Sequence, residues 1–403
     1  MSTVSTSTNQ DYYEAMLHAA PNGERLRLCL ECGTCSGICP FGSVMVYPPS
    51  RLIAALRADR FQNVLKTDAL WMCVSCSACT AFCPSQIPLT AGLMARTKEE
   101  LLLRGNVPTE LQDALANSQR YGNVLGESPR KRGDWINGIV PEVKVLAKTR
   151  EPVDVLWFVG DYASYHPRVR STSRALAAIM NLLGVSFGIL GPEESSDGDS
   201  QRLAGERGLF EMLAEKNGKA FSKYKFSTII TTDPHAYNAL KTEYPRLGVT
   251  YPVQHYTEFL ADRLDQIRPL LKHEVKAKVT YHDACYLGRV NGIFEQPRAL
   301  LQAVPGLELI EMAHSHANSL CCGGGGGGMW LDGFQWEKAH VRLSDLRVQE
   351  ALTAQAGIVA VACPYETPRF EDAAKTVPGA SGLHVKDIAE ILLEAMGPER
   401  GGT

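Results

Sequence analysis

Two copies of one cysteine spacing constrain this chain more than any other feature. Cys29, Cys32, Cys35 and Cys39 read C-x2-C-x2-C-x3-C and are closed by Pro40. Cys73, Cys76, Cys79 and Cys83 repeat the spacing and are closed by Pro84. Two-residue spacers let the backbone loop round a cube of iron and sulfur and aim its N–H groups at the sulfides. In paired runs of this kind three thiolates hold one [4Fe–4S] cluster and the fourth ligates the other. Cluster one would then take Cys29, Cys32, Cys35 and Cys83, and cluster two would take Cys73, Cys76, Cys79 and Cys39. Proline after the fourth cysteine turns the chain away and leaves no N–H to satisfy. Zinc is the rival metal. Its sites usually pair two C-x2-C units, sometimes with histidine, and two runs each ending in Cys-Pro fit that poorly.

The remaining composition narrows the setting. A net charge of −3, from 41 basic and 44 acidic residues, gives no footprint for nucleic acid or an anionic membrane. No apolar stretch is long enough to span a bilayer. The nearest, residues 175–190, is interrupted by Asn181, Gly184, Ser186 and Gly188 and reads as a helix followed by a strand. The start, MSTVSTSTNQDYYEAM, has no basic region, apolar core or twin arginine, so an export signal is not expected and the protein reads as cytoplasmic. In that compartment thiols stay reduced, so the 12 cysteines point to metal binding and not to a disulfide framework.

The length allows several domains. Residues 1–20 read as a polar tail. Residues 21–105 read as a helical two-cluster domain, with a helix over 49–58 between the cysteine runs. Residues 106–152 read as a polar, irregular connecting arm, whose Trp135, Ile136 and Ile139 need the cover that packing on the first domain would give. After Pro152 the pattern changes. VDVLWFV, VSFGIL and FSTIITT read as strands, TSRALAAIMNLL, QRLAGERGLFEMLAEKN, HAYNALKTEY and TEFLADRL as helices. From residue 276, strands AKVTYH, LELIEM and IVAVAC alternate with PRALLQAV, a helix after Trp336 and a last helix over 385–395. This predicts two α/β units on largely parallel sheets, over 153–270 and 271–403.

These units look like repeats of one frame. In the second, a strand runs into Cys285, the pair Cys321–Cys322 follows, and another strand runs into Cys363-Pro364-Tyr365-Glu366. In the first, a strand runs into Asp161, Ser196–Asp197–Gly198 follows, and another strand runs into Asp233-Pro234-His235-Ala236. One copy has been stripped of its cysteines. The four in the other copy recur at strand ends, where an α/β sheet places its ligands. Residues 323–328 are all glycine, permitting positive φ and close approach of backbone N–H groups to an anionic cluster. A phosphate loop would need a Gly-Lys-Ser/Thr that does not follow; a flexible linker is the other alternative.

With YHDACYLGR, CCG and a Cys-Pro element in this order, the chain resembles the heterodisulfide-reductase iron–sulfur family. It looks like a small ferredoxin-like subunit fused to a subunit of two CCG-type cysteine-rich domains, over roughly residues 21–395. The resemblance implies an α+β, multidomain chain with a helical two-cluster domain and two repeated α/β domains. It implies a third [4Fe–4S] centre at Cys285, Cys321, Cys322 and Cys363, cubane or non-cubane. It also implies a flavoprotein partner of heterodisulfide-reductase type among other oxidoreductase subunits. Similar layouts occur in subunits associated with electron-transfer flavoproteins, glycolate and lactate oxidation, and anaerobic aromatic-acid degradation, where benzoyl-CoA reductase complexes are one setting.

The chain departs from that pattern where Asp161, Ser196, Asp197, Asp233 and Ala236 replace expected cysteines, so the first copy should hold no cluster. Glu366 stands where the final cysteine belongs: either a hard oxygen ligand to one iron or a surface carboxylate at a helix start. His282 and Asp283 could serve the centre or simply be satisfied structural groups. His314 and His316 lie in a polar loop before the Cys-Cys pair. No catalytic triad, carboxylate dyad or G-x-G-x-x-G after a strand is present, so no flavin or nicotinamide site of its own is expected. The reading is an electron-transfer subunit without independent turnover. The alternative is reduction of a disulfide at the C-terminal centre, which loss of the first copy's ligands opposes. A scaffold stabilised by its clusters would not need two adjacent ones.

Overall fold

The computed structural model describes residues 9–397. The chain divides into two units, and the division does not follow the sequence. The first takes residues up to Gln112 together with Ser200–Arg207 and Gly323–Arg342, and the second takes Asp113–Asp199, Gly208–Cys322 and the rest from Leu343. One segment from each of the α/β repeats expected over 153–270 and 271–403 is thus counted with the first unit.

In the first unit, short helices surround the two cysteine runs. Helix Pro49–Arg57 opens with proline at its first position, where the missing N–H costs nothing. It buries Leu52, Ile53 and Leu56. Residues 9–17, expected to be part of a polar tail, instead form helix Asn9–Leu17. Its Tyr12 and Met16, one turn apart, are buried with Leu17, and the Tyr12 ring lies 4.9 Å from that of Phe61. Residues 1–8 lie outside the described residues. A π-helical stretch, Leu89–Met94, runs into helix Ala95–Leu103.

The second unit carries two parallel sheets. The first contains β1 (Lys144–Val145), β2 (Val155–Phe158), β3 (Phe187–Ile189), β4 (Thr228–Thr231) and β5 (Val253–His255), in the order β1-β3-β2-β4-β5. The second contains β6 (Ala277–Tyr281), β7 (Leu307–Ile310), β8 (Ile358–Val361) and β9 (His384–Asp387), in the order β7-β6-β8-β9. Removing β1 leaves the same order twice. Both β2 and β8 are buried along their whole length, as strands covered on both faces must be. Helices Val169–Leu182 and Ile388–Met396 pack on each other, joining one repeat to the other. Arg168 adds an ion pair to Glu390 at 2.6 Å.

Four expectations need correction. The arm is not irregular: it contains helix Thr109–Tyr121 and a 3-10 stretch, Pro129–Ile136. Its Trp135 finds cover in the first repeat, not the first domain, with its ring 5.1 Å from that of Trp157 on β2. The helix expected over QRLAGERGLFEMLAEKN is two helices, Asp199–Leu203 and Arg207–Phe221, parted at Gly205. Gly205 has φ +97°, and a Cβ there would come within 2.5 Å of the Glu99 nitrogen. The last helix starts at Ile388, because residues 385–387 belong to β9. Asp387 caps the helix by accepting from the Ala389 N–H at 2.8 Å.

Candidate iron–sulfur sites

The two cysteine runs have matching backbones. Glu31 and Gly33 in the first, and Ser75 and Ser77 in the second, take left-handed φ of 55°, 78°, 52° and 59°. Three of the four are not glycine, and that conformation costs such residues of order 1–2 kcal/mol. The repetition at equivalent positions marks it as imposed, and nothing in the residue types Glu31 and Ser75 foretold it. Each run then places its third cysteine in a short helix, Cys35 in Thr34–Gly37 and Cys79 in Ala78–Ala81.

The thiols meet across the runs. Cys29, Cys32, Cys35 and Cys83 line one cavity of about 240 Å³ with Ile53, Ala54, Ile87 and Leu89. Burial pushes the Cys35 thiol up, and the nearby Cys29 and Cys83 sulfurs push it further. Cys39 is pushed up to about 12, by burial and then by Cys76 and Cys73. Cys79 is raised by burial and then by Cys73 and Cys76, with Cys39 adding to them. Such crowding of thiols is costly without a cation to bind them. The donor set fits a thiolate-ligated cluster at each place.

The glycine run belongs to the first unit and is no flexible linker. Gly326 and Gly327 have φ of +58° and +91°, and a Cβ on Gly326 would lie 2.2 Å from the Ser75 Oγ. One on Gly328 would lie 2.3 Å from the Gly323 carbonyl and 3.0 Å from Val74. The close approach seen here is to the second cysteine run.

In the second unit, His282, Asp283 and Cys285 follow β6, and Cys363 follows β8, at the point where strand order reverses. Such a switch point is where open α/β sheets bind ligands. Cys321, Cys322 and Cys363 are buried, and Cys285 is half-buried. Glu366 opens helix Glu366–Thr376 yet is 2% exposed, which overturns the surface-carboxylate reading. His282 Nε2 stands 3.3 Å from Glu366 Oε1. Potential ligand atoms of His282, Cys322 and Glu366 all lie within 4.8 Å of one another. Glu366 Oε2 is buried without a hydrogen-bond partner. Burial pushes Glu366 up to about 7, although His282 opposes it. Burial also works against charge on His282, but Glu366 and a hydrogen bond to Cys322 prevail and hold it at about 9. The Cys322 thiol is held well below the usual range, first by a hydrogen bond with Cys321 and then by His282 and Arg369.

Asp283 is taken up otherwise, in a two-pronged pair with Arg298 at 2.7 and 2.9 Å, and it accepts the His316 N–H at 2.7 Å. His314 pairs with Glu350 on the surface. Neither His314 nor His316 joins the His282–Cys322–Glu366 group.

Charged pairs fill the corresponding places of the first repeat. Arg132, 2% exposed, reaches Asp161 at 2.7 Å and Glu194 at 2.8 Å. His235 Nδ1 lies 2.8 Å from Asp199, the Asp233 carboxylate accepts the His235 N–H at 2.8 Å, and Asp197 accepts the Asp199 N–H at 2.7 Å. Ser196 and Ala236 are buried beside them. Sequence reasoning missed Arg132, Glu194, Asp199 and the role of His235, since no motif marks them. Aromatic rings join this place to the second repeat: His235 stacks on Tyr286 at 4.1 Å, and Tyr162 meets Tyr365 at 4.4 Å.

Residues 25–87 match the 4Fe-4S dicluster domain, and residues 155–241 and 279–365 each match the Cysteine-rich domain of CCG type. In the content and order of its domains the chain resembles the iron–sulfur subunits of heterodisulfide reductases. Among its relatives, a probable iron-sulfur-binding oxidoreductase FadF of Bacillus subtilis is 33% identical over 300 residues, 73% of this chain and 42% of its own. The EtfAB:quinone oxidoreductase of Syntrophomonas wolfei is 34% identical over 343 residues, 83% of this chain and 47% of its own. In Methanosarcina barkeri, one subunit of the dihydromethanophenazine:CoB--CoM heterodisulfide reductase is 28% identical over 315 residues, 76% of this chain and 73% of its own. The chain thus spans about half the length of the first two. No helix among the described residues is long and apolar enough to cross a membrane.

Proposed function

We propose that this chain is an electron-transfer subunit of a cytoplasmic oxidoreductase complex. It would hold cluster one through Cys29, Cys32, Cys35 and Cys83, and cluster two through Cys73, Cys76, Cys79 and Cys39. Cys285, Cys321, Cys322 and Cys363 would hold a third [4Fe–4S] centre, with Glu366 as an oxygen ligand to one iron. The observation that carries the reading is the crossed meeting of the runs: Cys83 shares a cavity with the first run, while Cys39 crowds against Cys73 and Cys76. When bound, the clusters supply one-electron oxidation and reduction. The protein spaces them, keeps water from the buried thiolates and fixes the charges around them.

A flavoprotein is the partner the relatives suggest, since one of them is named an oxidoreductase of EtfAB and quinone. Turnover of a disulfide by the chain alone is disfavoured. Its first repeat offers carboxylates in place of thiolates, and buried Tyr162, Tyr286, Tyr365 and His235 occupy the space between the repeats.

Anaerobically purified protein tests this by iron analysis and paramagnetic resonance. Cys39→Ala should damage the cluster of the second run, and Cys83→Ala that of the first. Zinc in place of iron, or each substitution harming its own run's cluster, would sink the assignment. Rapid heterodisulfide reduction by the isolated chain would sink the carrier reading.

A further inference from the structure

The first cysteine of each run offers its backbone carbonyl to a cation, and the two cations are not alike. The Cys29 carbonyl faces Arg57 at 3.4 Å. That guanidinium is partly exposed and already paired with Glu31 at 2.6 Å. The Cys73 carbonyl instead accepts from the Lys98 Nζ at 2.7 Å. Lys98 lies on helix Ala95–Leu103 and is fully buried. Its second acceptor is the Gly326 carbonyl at 2.9 Å, and the Trp71 ring lies beneath it at 5.7 Å. Among the described residues, no carboxylate forms an ion pair with it. Two carbonyl dipoles satisfy two of its three donors, but a buried ammonium still requires a counter-charge.

We propose that Lys98 is a positioning residue that sets cluster two apart from cluster one, holding the second cysteine loop to the glycine run and favouring the added electron on cluster two. The inference rests on the assignment of Cys39, Cys73, Cys76 and Cys79 to that cluster. A thiolate-ligated cluster is anionic and supplies the counter-charge that Lys98 lacks. An unpaired cation in a poorly polarisable interior acts far more strongly on a nearby charge than one at the surface neutralised by a carboxylate. A cluster held at Cys39, Cys73, Cys76 and Cys79 would thereby be the easier of the two to reduce, and an electron on cluster one would run downhill to it. The geometry also gives the glycine run its purpose. A side chain on Gly326 would collide with Ser75 and one on Gly328 with the Gly323 carbonyl, and the carbonyl that Lys98 clamps would be displaced.

Redox titration of the full chain, followed by paramagnetic resonance, tests this with K98R, K98Q and K98M. The cluster-two signal is identified as the one that Cys76→Ser alters. K98Q and K98M should shift its midpoint to a more negative potential and leave that of cluster one in place, while K98R should stay near the unsubstituted value. An unchanged cluster-two midpoint in K98Q and K98M, or equal shifts of both clusters, would overturn the proposal. So would loss of cluster two in K98R as well as in K98Q and K98M, because shape and not charge would then be what the site needs. Absence of a second [4Fe–4S] signal from the unsubstituted protein would instead sink the ligand assignment on which the proposal rests.

Discussion

Arg132 occupies the place in the first repeat that corresponds to the cysteine site of the second. Its guanidinium bridges Asp161 and Glu194, all three nearly inaccessible, while Asp161 also accepts the Val124 N–H at 3.0 Å. Removing the cation alone strands two buried carboxylates, so Arg132→Met should cost about 3–5 kcal/mol by urea unfolding. The triple change with Asp161→Asn and Glu194→Gln should recover most of that loss. A second residue gives a pH dependence. Burial pushes His255 down to about 3. Its Nδ1 receives the Thr257 hydroxyl at 2.7 Å and its Nε2 faces the Thr232 carbonyl at 3.2 Å, so neither nitrogen has room for another proton. The unfolded chain takes up that proton near pH 6.5 and the folded one does not until about 3. Its contribution is therefore whole above pH 6.5 and lost as pH falls toward 3. Unfolding midpoints between pH 7.5 and 5 should fall less steeply in His255→Asn than in the unsubstituted protein. At Glu366 the test is spectroscopic. Glu366→Gln should alter the third centre or cost it an iron, and Glu366→Cys should give a more ordinary one. Spectra unchanged by both would remove Glu366 from the ligands.

At the scale of elements, periodicity revealed most of the α/β half, because buried parallel strands are continuous apolar runs and their helices carry apolar stripes. It failed where contacts far along the chain overruled local pattern. Helix Asn9–Leu17 is polar on average, and its Tyr12 is buried against Phe61, a residue far along the chain. At the break only glycine fits, since Gly205 has φ +97° and a Cβ there would meet the Glu99 nitrogen at 2.5 Å. Glycines separate the two kinds of constraint. Gly328→Ala should destabilise the first unit, since its Cβ would meet the Gly323 carbonyl at 2.3 Å, whereas a Cβ on Gly333 meets nothing within 4 Å. Gly333 lies in helix Asp332–Ala339, so Gly333→Ala should be neutral or stabilising by up to about 1 kcal/mol. Thermal unfolding of the two variants side by side checks the sign.

For the whole molecule, the two units should differ in their dependence on iron. The first gathers eight thiols among short helices, and the second has two sheets with continuous apolar cores. Chelation of iron under anaerobic conditions should therefore expose Trp71, buried in the first unit, well before Trp157, buried in β2. Fluorescence of Trp71→Phe and Trp157→Phe variants would show which ring is lost first, and simultaneous exposure would contradict the expectation. The sequence by itself determined the two cysteine runs, the duplicated α/β frame and the absence of cysteines from its first copy, because spacing and period are local properties of a chain. Only the tertiary structure decided that Glu366 is buried against His282, that Arg132 is buried between Asp161 and Glu194, and that the glycine run and Lys98 close on the second cysteine loop. Those depend on residues far apart in the chain meeting in a space without water, where an unpaired charge or a single extra carbon decides what fits.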